Sequence, residues 1–166
     1  MDIVFPNSNE KKFLEKKEDV RFIYPFKKGF SSDHEFGFLT TKKIQGFRVH
    51  KSIGNDRPVF ERGVSLIYDL EQDGRQDFIF QRNAGMNHVL ARLAHRKHMA
   101  VGFNFNSFLK AKNKPVLLGR MQQNMRLCEK YGVDYEVASF AKNPSEVIED
   151  TYLKSFERIL KKKRLF

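Results

Sequence analysis

The chain has one cysteine, no tryptophan and no long apolar run. Cys128, standing alone, can form neither an intrachain disulfide nor part of a cysteine cluster for zinc, and a buried small apolar residue is the role it predicts. The run Ile3-Val4-Phe5, directly after Met1 and Asp2, is far too short for the hydrophobic region of a signal peptide or for a membrane span. A cytoplasmic protein without a membrane partner is the expectation. Acid is also scarce: 20 Asp and Glu stand against 31 Lys and Arg, a net charge of +11. That excess points to a polyanionic partner, nucleic acid ahead of an anionic membrane surface. With 166 residues and 40% hydrophobic content, one substantial core is affordable and two are not, so residues 1–166 are expected to form a single domain.

Apolar runs at Ile3 to Phe5, Val20 to Tyr24, Phe47 to His50, Val64 to Tyr68, Phe78 to Phe80, Met99 to Phe105 and Tyr135 to Ser139 read as strands. They are continuous rather than alternating, which suits a parallel sheet covered on its outer face. Helices are predicted after Pro6, from near Gly85 with Met86, Val89, Leu90 and Leu93 on one face, and from near Pro115 with Leu117, Leu118, Met121, Met125 and Cys128 buried. The order strand, helix, strand from Phe78 onward argues for an α/β fold with βαβ crossovers. A full eight-unit α/β barrel needs about 250 residues, so any barrel here is reduced. Lys27 to Arg62, punctuated by glycines, serines and Pro58, predicts loops or irregular strands. A basic tail of about 154–166 has Phe156, Ile159 and Leu160 at helical spacing and then the run Lys161-Lys162-Lys163-Arg164, which reads as a solvated or frayed terminus, although beside RNA it would also bind phosphates.

On the helix after Gly85, His88, Arg92, His95 and Arg96 fall on one stripe at i, i+4, i+7 and i+8, with Arg82 before it and Lys97 after it. Taken alone, this pattern fits a solvent-exposed amphipathic helix better than a binding surface. The residues themselves are more distinctive. "DFIFQRNAGMNHVLARLAHRKHMAVGFNF" resembles the signature region of ribonuclease P protein component 3, the α/β-barrel subunit of archaeal and eukaryotic ribonuclease P. The matching residues are Gly85, Met86, Asn87, His88, Val89, Leu90 and Ala91, then Ala100, Val101, Gly102 and Phe103. "GRMQQNMRLCEKYGVDYEVASFA" adds Arg120, Asn124, Arg126, Lys130, Tyr131, Ser139 and Ala141, and "MDIVFP" resembles the family's opening strand. The likeness covers about Phe78 to Lys142; "KNPSEVIEDTYL" replaces the family's Leu-Arg-Ala-Pro helix start, and Lys27 to Arg62 finds no match.

The resemblance implies a reduced TIM-barrel-like fold of the polymerase-and-histidinol-phosphatase kind. It implies a protein subunit of the ribonucleoprotein endonuclease that removes the 5′ leader from precursor tRNA, in which the RNA subunit performs the hydrolysis with Mg2+. The chain itself would bind no cofactor or metal and carry no catalytic residue. On this reading Arg82, His88, Arg92, Arg96, Lys97, Arg120, Asn124, Arg126 and Lys130 hold ribonuclease P RNA, mainly through phosphates, with precursor tRNA an indirect partner. Gly85, Asn87, Gly102 and Ser139 are structural; Asn83 and Asn87 suit a cap on the helix, and Asn104 and Asn106 fall where barrel loops carry function or form turns. The family's protein partner is ribonuclease P protein component 2, in a heterotetramer, and Phe36, Phe38 and Phe108 are the interface candidates among 17 Phe.

Two rivals come from other classes. A metal-dependent phosphoesterase on a related barrel needs histidines and carboxylates converging on metals, but Asp2-Ile3-Val4-Phe5-Pro6 supplies no histidine, and His95 and His98 at i, i+3 lack matched carboxylates. A general RNA-binding protein shares the charge but not the Gly85 to Ala91 motif.

Overall fold

The structure, a computed structural model, describes residues 2–4, 20–25, 36–39, 48–71 and 75–162, with 20–25 and 36–39 given as backbone alone. Seven strands are hydrogen-bonded in chain order: β1 (Asp2–Val4), β2 (Val20–Pro25), β3 (Phe36–Leu39), β4 (Arg48–Lys51), β5 (Leu66–Tyr68), β6 (Ala100–Asn104) and β7 (Tyr135–Ala138). The helices are α1 (Arg57–Arg62), α2 (His88–Arg96), α3 (Phe105–Lys110), α4 (Lys114–Tyr131) and α5 (Asp150–Lys161). The helix expected after Pro6 lies outside the described residues.

The sheet is α/β with parallel strands, but not parallel throughout. β1 with β2, and β4 through β7, pair in parallel, whereas β2 with β3 and β3 with β4 run antiparallel. Only the stretches 26–35 and 40–47 separate these strands. A parallel crossover takes a dozen residues or more, so separations this short go with antiparallel pairing of the strands they join. The predicted strand at Phe78 to Phe80 does not form; those residues lie in an exposed turn. α1 falls inside the stretch expected to be irregular. Pro58 sits in its first turn and Phe60 is fully buried beneath it.

β5 shows why the strands read as continuous apolar runs. Ile67 joins the core between sheet and helices, where Phe60, Ala91, Ala94, Met121, Met125, Cys128, Phe156 and Leu160 meet Val101 and Phe103. Leu66 and Tyr68 point the other way, into a second cluster with Ile3, Val49, Ala138 and Phe140. Both faces are buried, so both alternating positions must be apolar. Burying each large side chain contributes roughly 1.5–3 kcal/mol. Cys128 is wholly buried, in keeping with its solitary position, and burial pushes its thiol up to about 12.

β1 is tied to the far edge of the sheet. Asp2 Oδ1 accepts from the Ser139 amide at 2.6 Å and from its neighbour Ile3 at 2.8 Å, and Val4 bridges Ala141 in parallel. Ser139 is fully buried, and its hydroxyl oxygen accepts from Ala141 N. The helical spacing of Phe156, Ile159 and Leu160 is that of α5, which docks through Phe156 and Leu160 and leaves Ile159 exposed; residues 163–166 lie outside the described residues.

Candidate nucleic-acid interface

Gly85 begins the unit because nothing else fits there. Its φ is +82°, and a Cβ would stand 2.2 Å from the Leu70 carbonyl oxygen. Asn87 then caps α2, its Oδ1 accepting from Val89 N and Leu90 N at 2.9 Å each. The buried face of α2 is Ala91 and Ala94, with Leu90 and Leu93 half-buried. Val89, predicted to be buried with them, is exposed because it lies on the opposite side of the helix from Ala91 and Ala94.

His88, Arg92, His95, Arg96 and Lys97 are all exposed, as are Arg126 and Lys130 on α4. The carboxy-terminal ends of the two helices meet at Tyr131. Arg92 and Lys130 each lie 5.5 Å from its ring centroid, and His95 Nδ1 is 2.8 Å from the Gly132 carbonyl oxygen. Helix carboxy-termini favour cations, and an aromatic face holds them without neutralising them. The result is a ridge of cations drawn from two helices, with no carboxylate among the described residues paired to Arg92 or Lys130. Arg126 extends it one turn along α4, with Nε donating to the Gln122 carbonyl at 3.1 Å.

Three residues expected on an RNA surface are committed internally instead. Arg120 is 1% exposed; its guanidinium donates to Asp77 Oδ1 at 2.8 Å, to the Glu71 carbonyl at 3.3 Å and to the Arg75 carbonyl. Asn124 is fully buried and donates to Glu71 Oε1 and to the Ala84 carbonyl, both at 2.7 Å. Arg82, half-buried, donates to the Gly119 carbonyl at 3.1 Å. Arg120 and Asn124 thus satisfy backbone carbonyls of the segment between β5 and α2, and Arg82, itself in that segment, satisfies one on α4. Asn83 belongs to the same network rather than to a cap, with its amide donating to Asp77 Oδ1 at 2.8 Å. Burial works against the Asp77 carboxylate, but the Asn83 amide and the Arg120 guanidinium outweigh it and hold its pKa low.

A cavity of about 450 Å³ opens at the carboxy-terminal ends of β4, β5 and β6, where α/β folds place their sites. Lys51, Ser52, Asp69, Glu71, Ser107 and Lys110 supply its polar lining. Burial raises the pKa of Asp69 and takes Glu71 up to about 7, against the lowering bond from Asn124 in the latter. Asn104 caps α3 by accepting from Ser107 N at 3.1 Å, and Asn106 braces the Ser139 and Glu146 carbonyls at 2.8 Å each. Both act as structural polar residues. Among the described residues, no group of three or more His, Cys, Asp and Glu is placed to hold a metal ion.

The interface candidates divide. Phe36 and Phe38 lie in β3, and their side chains are outside the described residues. Phe108 is half-buried, its ring packed 6.2 Å from Phe105 and 5.0 Å from Phe156 against the helix-side core. Among the described phenylalanines, Phe78 and Phe80, which a strand reading places in the sheet, have exposed rings. Among the described residues no helix is long and apolar enough to cross a membrane.

No protein-family model matches the chain. A 59-residue segment, 34% of the chain, is 37% identical to ribonuclease P protein component 3 of Methanococcus maripaludis, and it spans 25% of that protein. Among solved structures, a chain from the cryo-EM structure of archaeal ribonuclease P with mature tRNA superposes with a TM-score of 0.60 at 19% identity, covering 98% of this chain and 74% of that one. This chain is thus a sequence relative of ribonuclease P protein component 3 over about a third of its length, and it shares the fold of an archaeal ribonuclease P chain over nearly all of it.

Proposed function

We propose that the chain is a protein subunit of ribonuclease P, binding the catalytic RNA and supporting removal of the 5′ leader from precursor tRNA. One observation carries the reading. The segment from Phe78 to Lys142, which holds the component 3 resemblance, also brings Arg92 and Lys130 together over Tyr131 and leaves Arg96, Lys97 and Arg126 exposed on the same two helices or at their ends. His88 opens the same exposed face. A surface in which Arg92 and Lys130 are held over an aromatic ring, beside other exposed cations of the same two helices, suits phosphate binding, which fixes an RNA in place without reading its sequence. In this reading Mg2+ serves the RNA subunit, and component 2 binds elsewhere on the chain, in a heterotetramer. The sheet would be a reduced barrel, a reading supported by the Asp2 to Ser139 bond and the Val4 to Ala141 bridge between its two edges.

The test is reconstitution. The purified chain, ribonuclease P RNA, component 2 and Mg2+ are combined with precursor tRNA, and RNA that co-purifies with the chain from cells is sequenced. Stimulated cleavage and a recovered ribonuclease P RNA are expected. Recovery of messenger or ribosomal fragments without stimulation would make the chain a general RNA-binding protein, and cleavage by RNA-free protein would make it a nuclease in its own right.

A further inference from the structure

Phe78, Ile79 and Phe80 stand at 66%, 92% and 99% exposure on a segment that is firmly anchored. Phe78 N donates to the Gln81 carbonyl at 2.8 Å and Gln81 N returns a bond to the Phe78 carbonyl at 3.4 Å, leaving Ile79 and Phe80 at the tip of a tight turn. Beneath it, Asp77 Oδ1 receives both the Asn83 amide and the buried Arg120 guanidinium, each at 2.8 Å. On the other side Arg82 lies across Gly119, where a Cβ would come 2.7 Å from its Cζ. A buried arginine and a glycine on α4 are therefore both used to hold an apolar tip in water.

The shape and charge of this tip select its occupant. A specific protein interface takes about 800 Å² from each partner, far more than one convex turn of three side chains supplies. A projecting ring suits an unstacked nucleobase, whose face it can cover completely. The charge agrees: Arg75, Arg82 and Arg120 lie about the base of the turn, facing Asp77 and, through Arg75, Asp56 among the described carboxylates, and the chain as a whole carries +11, a balance that favours a polyanion. We propose that Phe78 and Phe80 form a stacking platform for unpaired nucleotides of a bound RNA, distinct from the phosphate-binding ridge. The inference rests on the reading that this chain binds RNA, and adds that it engages single-stranded bases.

Because the chain has no tryptophan, Phe80→Trp places one reporter at the tip. The probes are an oligoadenylate of about ten nucleotides, an RNA duplex of equal length and inorganic polyphosphate. Phe80→Trp should keep wild-type affinity for the oligoadenylate, and its emission should be quenched by that RNA and not by polyphosphate. Phe78→Ala with Phe80→Ala should weaken oligoadenylate binding about tenfold or more while leaving duplex binding and the melting temperature unchanged. Unaltered affinity in the alanine variant, or emission indifferent to the oligoadenylate, would overturn the platform while the RNA-binding reading stands. Full affinity in Phe78→Leu with Phe80→Leu would overturn it by making the contact merely apolar. Loss of component 2 binding with RNA affinity intact would overturn it in favour of a protein dock. No RNA binding by the unmodified chain would remove both readings together.

Discussion

Arg120 Nε lies 2.8 Å from Asp77 Oδ1, joining residues 43 positions apart across the boundary between α4 and the segment before α2. Arg120 is almost wholly buried while the Asp77 side chain keeps 29% of its surface in water. The pair holds a loop in place, and a charge that looks available in the sequence is thereby used inside the fold.

Arg120→Ala should therefore destabilise the protein rather than merely weaken RNA binding. Removing one partner of a buried pair costs about 3–5 kcal/mol, and the partial exposure of Asp77 puts this case toward the lower end. Chemical denaturation monitored by circular dichroism measures the loss. A variant of unchanged stability with weakened RNA affinity would show that Arg120 reaches phosphate instead.

The ridge arginines should behave in the opposite way. Arg92→Ala with Arg96→Ala leaves both buried clusters intact, so melting should stay within experimental scatter of the wild type. RNA affinity should fall, and the log–log slope against salt should flatten by roughly 0.7–0.9 for each phosphate that is no longer neutralised. Titrations at several salt concentrations read the slope directly. Weaker binding at an unchanged slope would exclude a phosphate role for the pair.

Glu71 gives the protein a dependence on pH near neutrality. Burial raises its folded pKa to about 7 from an ordinary 4.5, so the folded state holds the proton more tightly than the unfolded one. Its contribution is fully present below about 4.5 and is lost as pH rises through about 7. Asp69, raised by burial as well, adds a slope of the same sign. Glu71→Gln keeps the oxygen that accepts from Asn124 and removes the charge. The variant should lose less stability than the wild type between pH 5 and pH 8, and should be the more stable of the two at the upper end. Parallel stability curves for the two proteins across that range would contradict the assignment.

Gly102→Ala should cost about 1–3 kcal/mol through overpacking. Its Cβ would lie 2.6 Å from Phe140 Cζ and 2.8 Å from Tyr68 Cβ. Those two rings are stacked at 4.5 Å and 8°, and Phe140 already has a φ of +47°, so neither ring moves aside freely. A melting curve superimposable on the wild type would show that the second core cluster has room to spare.

Local pattern locates most of the described elements. The strands from β4 to β7 lie within about two residues of their apolar runs, apart from Phe78 to Phe80, and α4 begins beside Pro115 as expected. Local pattern fails where a distant contact overrides it. Phe78 to Phe80 looks like a strand to any nearest-neighbour rule, but Asp77 is held from Asn83 and Arg120 and folds the chain into a turn. Arg120 and Asn124 carry a readable signal that their charge and polarity conceal: they lie on the same helical stripe as Leu117, Met121, Met125 and Cys128. Phe108 stands between Ser107 and Leu109, and its ring becomes half-buried through packing on Phe105 and, from α5, on Phe156.

The sequence by itself determined the basic character, the α/β pattern, the glycine turn and cap that start α2, and the component 3 resemblance, because each depends on composition or on neighbours a few residues apart. Tertiary structure alone decided which cations remain free, which strands run antiparallel, and which aromatic rings face water. Those outcomes depend on contacts such as Arg120 with Asp77 and Asp2 with Ser139, and a charge or a ring has no inside or outside until the chain has closed around it.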